Sequence, residues 1–260
     1  MAEASFTVQT EVADHIGTIR FSCPPYNHVS VGLLAALADQ LEALDADDSC
    51  RVVVLCAEGK VFCAGADFNE GGDFADDGDN AGVLALYEQA ARLYANRKPI
   101  IAVVQGAAIG AGLGLALVAD FRIASDQARF AANFVKLGFH AGFGISARLP
   151  ELLGVQKAAR MLLSGERVTG AAAFDWGLVD ILAPADDLAQ TARDFAASIA
   201  ENAPLAVEAT RLTVRGDIAE RIRQTTAREA ALQSDLKKTA DFAEGVKSVA
   251  ERRAGRFIRA

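Results

Sequence analysis

Short, uninterrupted runs of apolar residues mark the strands expected along the chain. Residues 51–57 (RVVVLCA) and 100–105 (IIAVVQ) are such runs, which are typical of strands buried on both faces. Residues 121–124 predict a further strand. Residues 6–11 and 17–22 alternate in polarity or carry β-branched side chains, and they predict a hairpin near the N-terminus.

Apolar residues at helical spacing separate these strands. Residues 30–45 predict a helix with Ser30 as its N-cap. Its apolar positions are Val31, Leu34, Leu37, Leu41 and Leu44. Residues 82–96 predict a second helix that ends before Pro99, and the acidic, glycine-rich residues 71–82 predict a mobile loop before it.

The order of these elements predicts an α/β protein. Strand–helix–strand alternation runs to about residue 184, so we expect parallel strands joined by helical crossovers. From residue 186 the pattern is helical, with Pro204 opening one helix. We therefore predict an α/β core over residues 1–185 and a helical region over residues 186–260.

Composition and charge exclude several classes of protein. The chain of 260 residues is 52% hydrophobic and 23% charged, which excludes disordered, collagen-like and disulfide-scaffold proteins. Its net charge is −8, and the basic residues gather mainly near the C-terminus. Because a nucleic-acid-binding protein usually carries a basic patch, we expect no nucleic-acid partner.

Cysteine and histidine spacing gives no support for a metal site. Cys23, Cys50, Cys56 and Cys63 form no CxxC pair, and three histidines accompany them. The N-terminus lacks the basic and apolar regions of an export signal. The longest apolar run, residues 100–119, is interrupted by Gln105 and by glycines, so we expect no membrane span and a cytoplasmic location.

Two glycine-containing loops carry the candidate chemistry. They cover residues 60–67 (KVFCAGAD) and 106–114 (GAAIGAGLG), and each follows a predicted buried strand. In the second loop the glycines precede an apolar helix, whose N-terminal amides stabilise negative charge. The dinucleotide motif GxGxxG fails because Leu115 stands at its third glycine, and GxxxxGK[ST] and GxSxG are absent. Tight helix–strand packing alone also explains such glycines.

Together these loops resemble the crotonase (enoyl-CoA hydratase/isomerase) superfamily. The first signature is RVVVLCAEGKVFCAGADF and the second is KPIIAVVQGAAIGAGLGLALVADFRIAS. Residues 131–150, 164–179 and the tail ADFAEGVKSVAERRAGRF continue the match in order. The resemblance implies a spiral of βαβ units with two sheets. It also implies a C-terminal helical region that forms a lid on CoA and assembles a homotrimer or a hexamer.

The resemblance also implies an acyl-CoA site. Its oxyanion hole, made of two backbone N–H groups, falls at Ala66 and Ala111. The remaining substrate and CoA contacts fall at Ala64, Asp67, Gly110, Gly114, Phe134, Phe139 and Arg252. Ala64 matches the adenine contact and Arg252 a phosphate contact. Coenzyme A is expected as part of the substrate, with no tightly bound cofactor and no metal.

All three carboxylate positions of the family's enzymes carry other residues here. Gly114 and Phe134 stand where hydratases have glutamates, and Gly142 stands where some isomerases have an aspartate. Neither glycine nor phenylalanine activates water or delivers a proton. We therefore expect a divergent member in which simple hydration is not the reaction.

His140 and Tyr87 are the predicted catalytic substitutes. His140 lies two residues before the third position, and imidazole titrates near neutral pH. Tyr87 matches a place where some relatives have a pocket histidine, and Glu70 is a further candidate. We predict isomerase or lyase chemistry through a thioester enolate. The alternatives are decarboxylation of a malonyl-type acyl-CoA, thioester hydrolysis, a non-catalytic acyl-CoA-binding protein and, remotely, a nicotinamide-dependent oxidoreductase.

Overall fold

The computed structural model describes residues 5–66 and 80–260, and nine strands in these ranges form two sheets. The strands are β1 (Thr7–Ala13), β2 (Ile16–Ser22), β3 (Val52–Ala57), β4 (Ile100–Val104), β5 (Ala107–Ile109), β6 (Phe121–Ser125), β7 (Arg129–Ala131), β8 (Val168–Thr169) and β9 (Ile181–Ala183). The larger sheet has the order β1-β2-β3-β4-β6-β9 and the smaller one β5-β7-β8. Beyond the antiparallel hairpin β1–β2, every pair in the larger sheet is parallel. This confirms the predicted hairpin and parallel core.

Nine α-helices and one 3₁₀ helix accompany the strands within the described ranges. The helices are α1 (Val31–Ala46), α2 (Ala81–Tyr94), α3 (Ala111–Val118), α4 (Ile145–Ser164), α5 (Gly170–Trp176), α6 (Leu188–Ala200), α7 (Pro204–Arg215), α8 (Ile218–Leu236) and α9 (Ala240–Ala250), and the 3₁₀ helix is Asn133–Leu137. None of the helices described is both long and apolar enough to cross a membrane.

Local signals in the sequence explain several helix boundaries. The Ser30 hydroxyl accepts a hydrogen bond from the Leu33 amide at 3.1 Å, which confirms the predicted N-cap of α1. Pro204 is the first residue of α7, as predicted. Helix α2 begins at Ala81, so the last two residues of the predicted loop 71–82 are helical. The rest of that prediction, except Asn80, lies outside the described residues, as do those for Asp67 and Glu70.

The hydrophobic core lies on both faces of the larger sheet, and β3 shows why its sequence is continuously apolar. Val53 and Leu55 point into the layer that contains α1, α2 and α3. Val52 and Val54 point to the opposite face, which α6 covers. Because both faces are covered, an apolar side chain is buried at each of these positions.

The C-terminal helices pack onto this core. Strand β9 ends at Ala183 and α6 begins at Leu188, so the structure changes from α/β to helical where the sequence predicts it. Helix α8 packs against α2, and α9 packs against the 3₁₀ helix. The α7 residues Arg211 and Arg215 both pair with Asp120 at 2.8 Å. A division into separate domains at residue 185 stays a prediction.

Candidate active site

The two glycine loops are joined through backbone hydrogen bonds. The Cys63 amide donates to the Ala107 carbonyl and the Ile109 amide donates to the Cys63 carbonyl, each at 3.0 Å. The residues after Cys63 and those after Ile109 therefore leave the sheet side by side. Because each loop follows a buried strand, the core fixes the position of both loops.

Glycine is required where these loops touch. Gly65 has φ +96°, and a Cβ there would lie 2.7 Å from the Ile109 carbonyl oxygen and 3.5 Å from the Ala111 nitrogen. A Cβ on Gly112 would overlap the Cys63 carbonyl oxygen. Any larger residue would therefore push the loops apart. The sequence analysis offered tight packing as an alternative explanation for these glycines. The glycines do allow tight packing, and the same contact also borders a cavity.

Two backbone amides are available at this contact. Ala111 is the first residue of α3, so its N–H has no acceptor within the helix. In the other loop, the carbonyl of Gly65 accepts a hydrogen bond from the Val29 amide. The next residue, Ala66, supplies the second available amide. Within the described residues no acceptor is found for the N–H of Ala66 or Ala111. Both residues line one cavity, which is the arrangement that stabilises an oxyanion.

This cavity has a volume of about 270 Å³ and brings together most of the predicted site residues. Those that line it are Ala64, Ala66, Tyr87, Gly110, Ala111, Phe134 and Phe139. Among the described lining residues none carries a carboxylate, and the polar side chains are those of His28, Tyr87 and Asn133. The cavity therefore combines backbone donors with largely apolar walls.

Two of the three predicted carboxylate positions carry glycine, Gly114 and Gly142. The Phe143 ring lies beside the first and the Tyr87 hydroxyl beside the second. A Cβ on Gly114 would lie 2.6 Å from the Phe143 ring, so Gly114 is buried behind that ring. Gly114, which was predicted to contact substrate, is therefore not among the described residues that line the cavity. A Cβ on Gly142 would overlap the hydroxyl oxygen of Tyr87 and lie 2.7 Å from Gln233 Nε2. At the remaining position, the Phe134 ring itself forms part of the wall.

Tyr87 is held by a buried amide from α8. Its hydroxyl donates to Gln233 Oε1 at 2.8 Å, and Gln233 Nε2 donates to the His140 carbonyl at 2.8 Å. Burial raises the pKa of the Tyr87 phenol far above its usual range, so the group is neutral at ordinary pH. Tyr87 therefore serves as a hydrogen-bonding group, while a phenolate base is excluded.

His140 is not among the described residues that line this cavity, and its predicted catalytic role stays a prediction. Its neighbours Phe139 and Gly142 line the cavity, whereas the His140 Nδ1 lies 2.7 Å from the Ala141 carbonyl oxygen. The sequence analysis missed His28, whose imidazole does line the cavity. His28 Nδ1 lies 3.2 Å from the Gly65 carbonyl. The sequence signal that could have indicated His28 is its position three residues before α1.

Arg252 also lies away from the cavity lined by Ala66 and Ala111. It lines an adjoining space of about 650 Å³ that shares Asn133 and Val249 with the first one. Lys136 and Arg167 line that space as well, which makes it cationic. The predicted phosphate contact of Arg252 stays a prediction, as does the adenine contact of Ala64.

A buried carboxylate on α8 supports the cavity from behind. Glu229 accepts hydrogen bonds from the amides of Gly144 at 2.8 Å and Ser146 at 3.1 Å, and from the Ser146 hydroxyl at 2.6 Å. Burial raises its pKa to about 7 despite these bonds. Glu229 thereby fixes the segment next to Phe143, which has φ +64°. No spacing in the sequence connected Glu229 to this segment.

The four cysteines, all within the described residues, form no disulfide, and Cys63 is a core residue. Burial raises the pKa of its thiol to about 12, so the reactive thiolate is suppressed. Cys63 therefore packs in the core of the first glycine loop as a small apolar side chain.

Comparison with known sequences connects this geometry to one family. The sequence profile of the family described as Enoyl-CoA hydratase/isomerase matches residues 11–259. The 2,3-dehydroadipyl-CoA hydratase of Escherichia coli (strain K12) is 35% identical over 233 residues, which cover 89% of this chain and 90% of that protein. The putative enoyl-CoA hydratase/isomerase YngF of Bacillus subtilis is 32% identical over 250 residues, or 95% of each chain.

Solved structures confirm the predicted fold. The enoyl-CoA hydratase/isomerase from Pseudoalteromonas atlantica T6c superposes with a TM-score of 0.85 at 29% identity, covering 96% of this chain and 99% of that chain. An enoyl-CoA hydratase from Mycobacterium avium subsp. paratuberculosis gives 0.84 at 28% identity, covering 96% and 98%.

Proposed function

This chain belongs to the enoyl-CoA hydratase/isomerase family, and on that premise we propose that it is an isomerase or lyase acting on an acyl-CoA thioester through an enolate. The supporting observation is the pairing of two available amides, those of Ala66 and Ala111, with a described cavity wall that carries no carboxylate. Such amides stabilise the negative charge that develops on a thioester oxygen.

Simple hydration is disfavoured by the same cavity. Adding water to a double bond requires one group to activate the water and another to deliver a proton. The space beside Gly114 is filled by Phe143, and at the second hydratase position the Phe134 ring, which neither activates water nor delivers a proton, forms part of the wall. The proton of Tyr87 is already donated to Gln233. The names of the relatives, several of which are hydratases, therefore do not decide the reaction here.

His28 is the candidate base. A carbonyl only accepts hydrogen bonds, so the contact with Gly65 places the proton of the neutral ring on Nδ1 and leaves Nε2 as the basic nitrogen. In an isomerisation, Nε2 removes a proton from substrate carbon and the electron pair moves to the thioester oxygen. The amides of Ala66 and Ala111 hold the resulting enolate. The proton then returns to a different carbon of the same substrate.

Decarboxylation of a malonyl-type acyl-CoA is the second candidate, because it needs no base. The bond to the carboxylate carbon breaks, its electrons form the enolate, CO₂ leaves, and water protonates the α-carbon. The aromatic walls favour it, since an apolar cavity destabilises the bound carboxylate relative to neutral CO₂.

Deuterium incorporation separates these reactions. The protein is incubated in D₂O with butyryl-, crotonyl- and malonyl-CoA, and the acyl products are followed by mass spectrometry. Deuterium in the recovered esters, or CO₂ release from malonyl-CoA, without accumulation of a hydroxyacyl product is expected. Rapid hydration of crotonyl-CoA would overturn the proposal, as would binding of all three esters without any reaction.

Variants of the histidines test the assignment of the base. His28→Gln is expected to abolish deuterium exchange, and His15→Gln, which alters an exposed imidazole, serves as the matched control. Loss of exchange in His140→Gln with full exchange in His28→Gln would return the role of base to His140.

A further inference from the structure

The buried amide of Gln233 determines which way the Tyr87 proton points. The His140 carbonyl has no proton to give, so the Gln233 atom facing it, at 2.8 Å, is the NH₂ group. The other end of the amide, the acceptor Oε1, therefore faces Tyr87 at 2.8 Å. Tyr87 has a single proton, and it is donated to Gln233.

The oxygen of Tyr87 consequently presents an acceptor toward the cavity. A phenolic oxygen that donates its proton can still accept a hydrogen bond. The hydroxyl is the part of Tyr87 that lies against Gly142, and both residues line the cavity. The oxygen therefore keeps the capacity to accept a hydrogen bond at the cavity wall.

No neighbouring donor among the described residues reverses the hydrogen bond from Tyr87 to Gln233. Gln233 is fully buried, so water does not compete for its amide. Glu229 lies on the same helix, but its carboxylate is engaged by Gly144 and Ser146. Both of its carboxyl oxygens face Gly144 and Ser146, so Glu229 supplies no hydrogen to Tyr87.

We propose that Gln233 is a positioning residue that makes Tyr87 a hydrogen-bond acceptor, so that the site selects acyl-CoA esters with a hydroxyl group on the acyl chain. This inference rests on the proposed acyl-CoA site and specifies its substrate class. A carbonyl at the same place would set two acceptors against each other, and an unsubstituted chain would leave the acceptor without a partner.

The test compares binding of matched four-carbon esters. Dissociation constants are measured for butyryl-CoA, for its 2-, 3- and 4-hydroxy derivatives and for 3-oxobutyryl-CoA. At least one hydroxy ester is expected to bind about threefold to tenfold more tightly than butyryl-CoA, the range that one neutral hydrogen bond contributes. The 3-oxo ester is expected to bind more weakly than that hydroxy ester.

Two variants distinguish positioning from a merely structural role. Gln233→Leu releases the Tyr87 proton, so the preference is expected to shift from the hydroxy ester toward the oxo ester. Tyr87→Phe is expected to abolish the preference, and Tyr94→Phe, a buried tyrosine outside the cavity, is expected to keep it. Unchanged selectivity in both Gln233→Leu and Tyr87→Phe would overturn the inference.

Failure of the inference and failure of the proposed function give different results. Equal affinity for hydroxy and unsubstituted esters, with exchange or CO₂ release intact, refutes only the role of Gln233. Absence of binding by every ester refutes the acyl-CoA site itself.

Discussion

The Tyr87 hydroxyl occupies the space where a side chain at Gly142 would begin. These residues lie on α2 and just before α4, and both line the same cavity. A residue larger than glycine at position 142 and the present Tyr87 are therefore mutually exclusive. The Tyr87 hydroxyl is therefore the polar group that stands where a side chain at position 142 would reach.

Gly142→Ala should destabilise the protein. The new methyl group overlaps Tyr87 Oη, so the ring and Gln233 must move, and overpacking of this kind costs about 1–3 kcal/mol. The free energy of unfolding in urea measures the loss. In a Tyr87→Phe background the same substitution should cost less, because the overlapping oxygen is gone. An equal cost in both backgrounds would show that the two residues do not compete for space.

Restoring a glutamate at position 114 should not create a hydratase. The side chain would meet the Phe143 ring at 2.6 Å, so Gly114→Glu is expected to lower the thermal midpoint and to leave crotonyl-CoA unhydrated. Adding Phe143→Gly removes the ring and suits φ +64° at that residue. The double variant should therefore regain thermal stability relative to Gly114→Glu. A single variant of unchanged stability would contradict the packing described for Phe143.

Glu229 should make stability depend on pH. Its pKa is raised to about 7 in the folded protein from 4.5, so the folded state binds its proton more tightly than the unfolded chain. The resulting contribution, about 3 kcal/mol, is fully present below about pH 4.5 and is lost as pH rises through about 7. Glu229→Gln should remove this decline. Urea unfolding of both proteins between pH 4.5 and 8 measures the difference, and parallel profiles would contradict the assignment.

Cys63 should resist alkylation in the folded protein. Burial raises its pKa to about 12 and excludes the reagent, so iodoacetamide at pH 8 should leave Cys63 unmodified. Peptide mass spectrometry identifies the modified residues, and the protein unfolded in guanidinium provides the fully reactive control. Rapid modification in the folded state would show that the first glycine loop opens.

The sequence predicted the two glycine loops and several residues of the cavity wall, among them Tyr87 and Phe134, but not the contacts that hold them in place. Ala66 and Ala111 were predicted for their backbone amides, whose positions depend on short glycine motifs after buried strands. Tyr87 meets Gln233 across 146 positions of sequence, and Glu229 meets Gly144 across 85. Contacts at such separation arise from the packing of α8, which no local pattern encodes. His140 illustrates the limit, because adjacency in sequence did not place its ring in the cavity.

The proposed enolate chemistry requires the backbone amide of Ala111. Proline is tolerated at the first position of a helix, so Ala111→Pro deletes the N–H while α3 is retained, and Ala111→Ser is the matched control that keeps it. Deuterium exchange into acyl-CoA esters in D₂O is the measurement, with circular dichroism to check folding. We expect Ala111→Pro to lose about 100-fold or more in exchange rate, the usual cost of one oxyanion donor, while Ala111→Ser keeps most of it. A folded Ala111→Pro variant with unchanged exchange would contradict the central claim.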